Sequence, residues 1–275
     1  MLDPTTLGRD GKLFVVAGPC VIEGAEFLLR SAREIKRITD EVGVPLVFKA
    51  SFDKANRSAV SSFRGPGLDE GLKALKAVKV EFDLPVLTDI HEVHQAEAAS
   101  KVVDVLQIPA FLARQTDLLE AAGKWAKVVN VKKGQFMAPS EMSNAVEKIH
   151  SGGPAAVWLT ERGTTFGYNN LVVDFRGIRE MKKNGCPVLF DGTHSVQQPA
   201  AHGKSSGGTR EHIPDLVCAS VAVGVDGLFL EVHPDPENAL SDASTQISFE
   251  MFRKVLRESL AIRAALKKCD EGTAS

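Results

Sequence analysis

The sequence predicts an α/β protein of the (β/α)8 TIM-barrel class, and three observations carry that expectation. One phrase recurs eight times along the chain: a short apolar run, a polar loop, then an amphipathic stretch of helical period. The runs are brief and almost continuously apolar, which suits parallel strands covered on both faces. The chain has 275 residues, 44% hydrophobic and 25% charged, enough for one barrel around a sizeable core. An open doubly wound sheet is the alternative, but it usually uses fewer units. No linker divides the sequence, so residues 1–275 read as a single barrel domain with a short N-terminal extension of about residues 1–12.

Taken in order, the first run is FVVA at 14–17, followed by a helical stretch at 26–42. PLVF at 45–48 leads to a helix at 68–82, and PVLT at 85–88 to one at 92–100. The fourth run, 102–108, precedes a helix at 116–126, and VVNV at 128–131 precedes one at 139–150. AVWLT at 156–160 is followed by a helix at 175–184, PVLF at 187–190 by one at 211–224, and GLFLE at 227–231 by one at 248–268. In the last of these, Phe252, Val255, Leu256, Leu260, Ile262, Ala265 and Leu266 fall largely along one stripe, the mark of a helix laid on a core.

Composition excludes several functions. A formal charge of −2 argues against a general nucleic-acid binder. No apolar run approaches the roughly 18 residues that span a bilayer, and the start lacks a signal-peptide core, so a cytoplasmic protein without membrane attachment is expected. Cys20, Cys186, Cys218 and Cys269 are scattered with no CxxC, which suggests neither a disulfide framework nor a zinc knuckle.

In such a barrel, function sits where strands end and loops begin. Cations and polar groups cluster at those points: Lys49, Lys54 and Arg57 after the second strand, Gln107 and Arg114 after the fourth, Asn130, Lys132, Lys133 and Gln135 after the fifth, Glu161 and Arg162 after the sixth. The opposite end offers mostly Gly43, Pro45, Pro85 and Pro187. A substrate carrying phosphate and carboxylate groups is expected at that mouth. Cys20 after the first strand, His194 after the seventh, and Glu231 and Asp242 at and beyond the end of the eighth form a second group. A thiol, an imidazole and two carboxylates suit a borderline-soft divalent ion. A packed cysteine with capping or salt-bridging acids is the other reading. His91-Glu92-Val93-His94 is one residue short of HExxH and reads as a polar surface turn, and Gly203-Lys204-Ser205 lacks the first P-loop glycine. The stretch 197–209 reads as a mobile active-site loop.

Seven blocks then carry a resemblance: AGPC at 17–20, KASFDKANRS at 49–58, QIPAFLARQTDLL at 107–119, NVKKGQF at 130–136, LTERGTTFGYNNLVVDFR at 159–176, DGTHSVQ at 191–197 and EVHPDPENALSDASTQ at 231–246. Together they resemble the 3-deoxy-D-manno-octulosonate 8-phosphate synthase family over nearly the whole chain. The related seven-carbon synthases carry a KPRTS-type segment where this chain has Lys54-Ala55-Asn56-Arg57-Ser58.

The resemblance implies a condensation of phosphoenolpyruvate with arabinose 5-phosphate in a homotetramer. It implies that Lys54, Lys132, Gln135 and Arg162 hold phosphoenolpyruvate, and that Asn56, Arg57 and Ser58 hold the sugar phosphate. Asp89 and Gln107 would meet sugar hydroxyls, and Lys49, Lys54, Asn56, His194 and Asp242 would stand among the reacting groups. Arg114 would reach the site of an adjacent subunit. Cys20, His194, Glu231 and Asp242 would bind a divalent metal ion, with Fe, Zn, Mn or Co all plausible; a metal-independent branch of the family has Asn in place of this cysteine. A heptulosonate synthase using erythrose 4-phosphate and a non-catalytic sugar-phosphate-binding barrel are the alternatives.

Overall fold

The computed structural model describes residues 2–55, 61–198 and 207–273. Eight strands and eight helices alternate: β1 (Phe14–Gly18), α1 (Ala25–Val42), β2 (Leu46–Lys49), α2 (Leu68–Phe82), β3 (Val86–Asp89), α3 (Val93–Ser100), β4 (Val105–Ile108), α4 (Thr116–Trp125), β5 (Val128–Lys132), α5 (Met142–Gly152), β6 (Ala156–Glu161), α6 (Arg176–Lys182), β7 (Val188–Asp191), α7 (Ile213–Val223), β8 (Gly227–Glu231) and α8 (Phe249–Thr273). Each strand runs parallel to its sequence neighbours, and β8 closes on β1 with Phe14 opposite Gly227 and Gly18 opposite Glu231. The expected (β/α)8 barrel is therefore the fold. Among the described residues, no helix is long and apolar enough to cross a membrane.

Strand interiors show why short apolar runs suffice. Val15, Ala17, Leu46, Phe48, Val129, Val131, Val157 and Leu159 face the helices and join the larger core. Their alternates Phe14, Val16, Val47, Leu87, Val105, Val128, Trp158, Leu189 and Phe229 fill the barrel interior, Phe14 packing on Trp158 with ring centroids 4.9 Å apart. Side chains in a strand point inward every second residue. Counting two on from the last of these residues in each strand gives Gly18, Lys49, Asp89, Gln107, Asn130, Thr160, Asp191 and Glu231, all at or near strand ends. The apolar plug thus gives way to a polar layer at one end.

Element boundaries differ from the sequence reading in a few places. The fourth strand starts at Val105, not at 102. Asp104 stands just before it, its N–H donating to the Val86 carbonyl at 2.9 Å while its carboxylate accepts the Val86 N–H at 3.2 Å and meets Lys79 Nζ at 2.7 Å. The fifth helix starts at Met142 after a 3-10 turn, Pro139–Glu141, and the sixth and seventh are shorter than expected. Two small antiparallel ribbons, Thr164–Thr165 with Leu171–Val172 and Gln197–Gln198 with Gly207–Gly208, stand in the loops after β6 and β7. At two residues a side, they leave no periodic signal.

Candidate active site

Backbone register assembles the metal-type group. Gly18 pairs with Glu231, so the residues after β1 lie beside the end of β8. The Cys20, Glu231 and Asp242 ligand atoms lie within 4.8 Å of one another, and Cys20 Sγ is 3.4 Å from Asp242 Oδ2. His194 Nε2 lies 3.7 Å from Glu231 Oε2 and 3.5 Å from Asp242 Oδ2. Several contacts hold this arrangement. The Cys20 N–H donates to Gln246 Oε1 at 3.1 Å, and Gln246 Nε2 donates to the Ser241 carbonyl at 2.8 Å. Asp242 has left-handed backbone, φ 47°, uncommon for a residue with a side chain. Its carbonyl accepts the Thr245 and Gln246 N–H groups, which closes the turn. Farther out, Glu23 Oε1 accepts the Leu240 N–H at 2.9 Å and faces His233 Nε2 at 3.4 Å, joining the loops after β1 and β8.

The donor set fits a divalent cation. Glu231 is fully buried; Oε1 is tied to Lys49 Nζ at 2.6 Å, while Oε2 accepts no hydrogen bond among the described residues. His194 Nε2, at 3.7 Å, is too far to donate to it, and a cation bound among these groups would offset the cost of leaving that buried oxygen without a donor. Burial, then Asp242 and Glu231, push the Cys20 thiol well above its ordinary pKa. A cation among these groups reverses that preference by favouring the thiolate. Burial alone would lower the His194 pKa, but Asp191 and Glu231 outweigh it and raise it to about 9.

The cations line the same mouth. Lys49 is 1% exposed, and its pairing with Glu231 joins the anion pocket to the ligand group. Lys132 Nζ lies 3.0 Å from the centroid of the Phe229 ring and pairs with Asp191. Burial lowers the Lys132 pKa to about 8 against the pull of Asp191. Lys54 Nζ is 3.7 Å from Asp89 Oδ2; burial opposes its charge, but Cys20, Asp89, Glu231 and Asp242 raise its pKa overall. Arg162 Nη2 donates to Gln197 Oε1 at 2.9 Å, whereas Nη1 is buried without a partner among the described residues. Gln135 Oε1 is likewise buried and unpartnered. An idle guanidinium N–H among buried cations is what an anion-binding pocket requires.

Other expected residues fall differently. Asp89 accepts the Ser51 hydroxyl at 2.7 Å, and Gln107 Oε1 accepts from Asn130 Nδ2 at 2.9 Å, so both already belong to the polar layer. Lys133, counted with the mouth cations, instead turns beneath the loops, donating to Thr164 Oγ1 at 3.0 Å and the Met137 carbonyl at 3.3 Å. The Arg114 side chain is exposed and has no partner among the described residues; only its carbonyl is bonded, by Lys148 Nζ at 2.9 Å. Asn56, Arg57 and Ser58 lie outside the described residues, as does most of the expected loop at 197–209. The polar surface turn expected around His91 is corrected in part. His94 is exposed, but His91 turns inward, edge-on to Phe52 and 3.9 Å from Asp89 Oδ2. Sequence reasoning also missed Asp191, which the two-residue strand period would have placed in the polar layer.

Comparisons with known proteins bear on this geometry. The model of the DAHP synthetase I family matches residues 3–266. A 2-dehydro-3-deoxyphosphooctonate aldolase from Syntrophotalea carbinolica is 55% identical over 262 residues, 95% of each chain. The protein of the same name from Cyanothece sp. is 54% identical over 258 residues, 94% of each chain. 2-Dehydro-3-deoxyphosphooctonate aldolase 1 from Arabidopsis thaliana is 54% identical over 259 residues, 92% of this chain and 89% of the relative.

Proposed function

The chain belongs to the DAHP synthetase I family, and from that premise we propose that it is a 3-deoxy-8-phosphooctulonate synthase. It condenses phosphoenolpyruvate, arabinose 5-phosphate and water to 3-deoxy-D-manno-octulosonate 8-phosphate and phosphate, the route to the eight-carbon sugar acid of bacterial lipopolysaccharide. The observation that carries this reading is the convergence of Lys49, Lys54, Lys132 and Arg162 on the mouth that also holds Cys20, His194, Glu231 and Asp242. Relatives at 54–55% identity carry the octonate name over nearly their whole length. Together with the KANRS segment, that favours the eight-carbon product over the heptulosonate alternative.

In this reading Lys132, Arg162, Gln135 and Lys54 hold the phosphate and carboxylate of phosphoenolpyruvate. Asn56, Arg57 and Ser58 hold the sugar phosphate, while Asp89 and Gln107 orient sugar hydroxyls. The enol carbon of phosphoenolpyruvate bonds to the aldehyde carbon, whose oxygen takes up a proton. Water adds to the adjacent cationic carbon and loses a proton; the new hydroxyl then becomes the ketone carbonyl as the carbon–oxygen bond to phosphate breaks, and phosphate leaves with its bridging oxygen and that hydroxyl's proton. Lys49 Nζ, buried beside Glu231, is the N–H donor for the aldehyde oxygen as negative charge develops there. The fixed cations keep both anions within reach of one another, which lowers the entropic part of the barrier. Cys20, His194, Glu231 and Asp242 would hold the divalent ion, which when bound supplies Lewis acidity toward a carbonyl or water.

The whole chain, residues 1–275, acts as one catalytic domain in the cytoplasm. The homotetramer is carried over from the family resemblance; exposed aromatic side chains on adjacent mouth loops, Phe111 at 56%, Phe136 at 55%, Phe166 at 71% and Tyr168 at 99% exposure, support contact between copies without fixing their number. Substrate identity is tested by supplying phosphoenolpyruvate with either arabinose 5-phosphate or erythrose 4-phosphate and measuring phosphate release. Preference for the five-carbon sugar is expected. Preference for the four-carbon sugar establishes the heptulosonate reading instead, and turnover of neither leaves a binding barrel.

A further inference from the structure

Asp191 closes β7 in the polar layer and has no role in the reaction outlined above. Its carboxylate is fully buried. Oδ1 accepts the Thr193 hydroxyl at 3.0 Å and the His194 backbone N–H at 2.9 Å, which fixes the plane of the group. Oδ2 faces two nitrogens at once, Lys132 Nζ from the anion pocket and His194 Nδ1, at 2.7 Å, from the ligand group. Thr193 Oγ1 also accepts the Glu231 N–H at 3.2 Å, so the same turn steadies a second ligand. A single oxygen therefore lies between the two halves of the site.

We propose that Asp191 is a positioning residue that couples these halves, so that an anion on Lys132 and a divalent ion on the Cys20, His194, Glu231 and Asp242 group strengthen each other's binding. The inference rests on the metal-centre reading given above. A carboxylate oxygen shared by two donors is divided between them. An anion drawn to Lys132 takes up part of the ammonium's hydrogen bonding and loosens its hold on Oδ2. Oδ2 then accepts more fully from His194 Nδ1, which fixes the ring and makes Nε2 the better electron-pair donor. Binding linkage makes the effect reciprocal. No backbone movement is needed, because Oδ1 stays anchored while Oδ2 changes partners.

The test is a calorimetric titration of the metal-stripped full chain with Mn2+, and in parallel with Zn2+, with and without saturating phosphoenolpyruvate. Four proteins are compared: the parent, Asp191→Asn, Lys132→Met and the double variant. In the parent, phosphoenolpyruvate should tighten metal binding by about 5-fold or more. Asp191→Asn alone should weaken the metal by about 10-fold to 100-fold, and should abolish most of the tightening by phosphoenolpyruvate. Lys132→Met frees Oδ2 for His194, so it should tighten the metal when Asp191 is present and leave it unchanged in the double variant relative to Asp191→Asn. Coupling that persists at its parental size in Asp191→Asn overturns the inference, because the ligands then communicate by direct contact. A chain that binds neither ion overturns the metal-centre reading and this inference together. If Asp191→Asn does not fold, as judged by near-ultraviolet circular dichroism, the Lys132→Met arm decides. Tighter metal binding there supports the coupling, and unchanged or weaker binding overturns it.

Discussion

A Cβ built on Gly18 would lie 1.8 Å from the Lys49 carbonyl oxygen, so any side chain there would push β2 away from β1. Glycine at this point lets Lys49 sit close enough to donate to Glu231, and it brings Cys20 to the end of β8 two residues later. The AGPC block owes its shape to that close approach. Cys20 itself is readable from the sequence only through family resemblance, since a buried thiol after a strand is more often packing than ligand. Ser241 Oγ lies 2.7 Å from its sulfur, and the Glu231 and Asp242 carboxylates stand within 4.8 Å of it; the ligand role proposed above rests on those two carboxylates. Replacing it by the residue of the metal-independent branch, Cys20→Asn, should lower divalent-ion affinity while retaining part of the turnover without metal. Kinetics and calorimetry on the same preparation check this; a folded variant with no activity under any metal condition contradicts it.

At the scale of elements, the eight strand-helix units were legible because each strand is a short apolar run between polar loops. The same continuity hid the inward-outward alternation. Phe229 and Leu230, or Leu189 and Phe190, look equivalent in sequence, although one fills the barrel and the other meets the helices. Asp191 was overlooked for that reason. The boundary error at β4 has a similar origin, since Val102 and Val103 extend the apolar run while Asp104 caps the neighbouring strand instead. The loop after β6 yields a prediction of its own. Glu161 Oε1 accepts the Arg162 and Gly163 N–H groups at 2.9 and 2.6 Å and faces Lys133 Nζ at 3.5 Å, all in a buried turn. Glu161→Ala leaves a buried cation unpaired, a loss of about 3–5 kcal/mol, and should raise the KM for phosphoenolpyruvate by displacing Arg162. Denaturant unfolding and steady-state kinetics read the two effects, with Glu161→Gln expected to recover part of both. An unchanged KM in folded Glu161→Ala removes the turn from substrate binding.

For the whole molecule, one chain forms the barrel and brings most of the expected site to a single mouth, yet Arg114 stands exposed on an outer turn with exposed Phe111 beside it in sequence. Sequence reasoning placed Arg114 after β4 correctly. It had no means of deciding which subunit's site it serves, since that depends on assembly rather than on local pattern. If Arg114 completes a neighbour's sugar-phosphate site, then mixing inactive Arg114→Ala chains with inactive Lys132→Met chains and allowing exchange should restore activity. Some hybrid interfaces would then hold one intact set of residues. Hybrids that all remain inactive return Arg114 to its own chain.

The central claim is that the cationic pocket and the group of Cys20, His194, Glu231 and Asp242 form one metal-dependent condensing site. Its most direct test is phosphate release from phosphoenolpyruvate and arabinose 5-phosphate by protein stripped with a chelator, verified metal-free, and then resupplied with one divalent ion. Turnover should fall to background on stripping and return on resupply. Full turnover by the stripped protein would contradict the account.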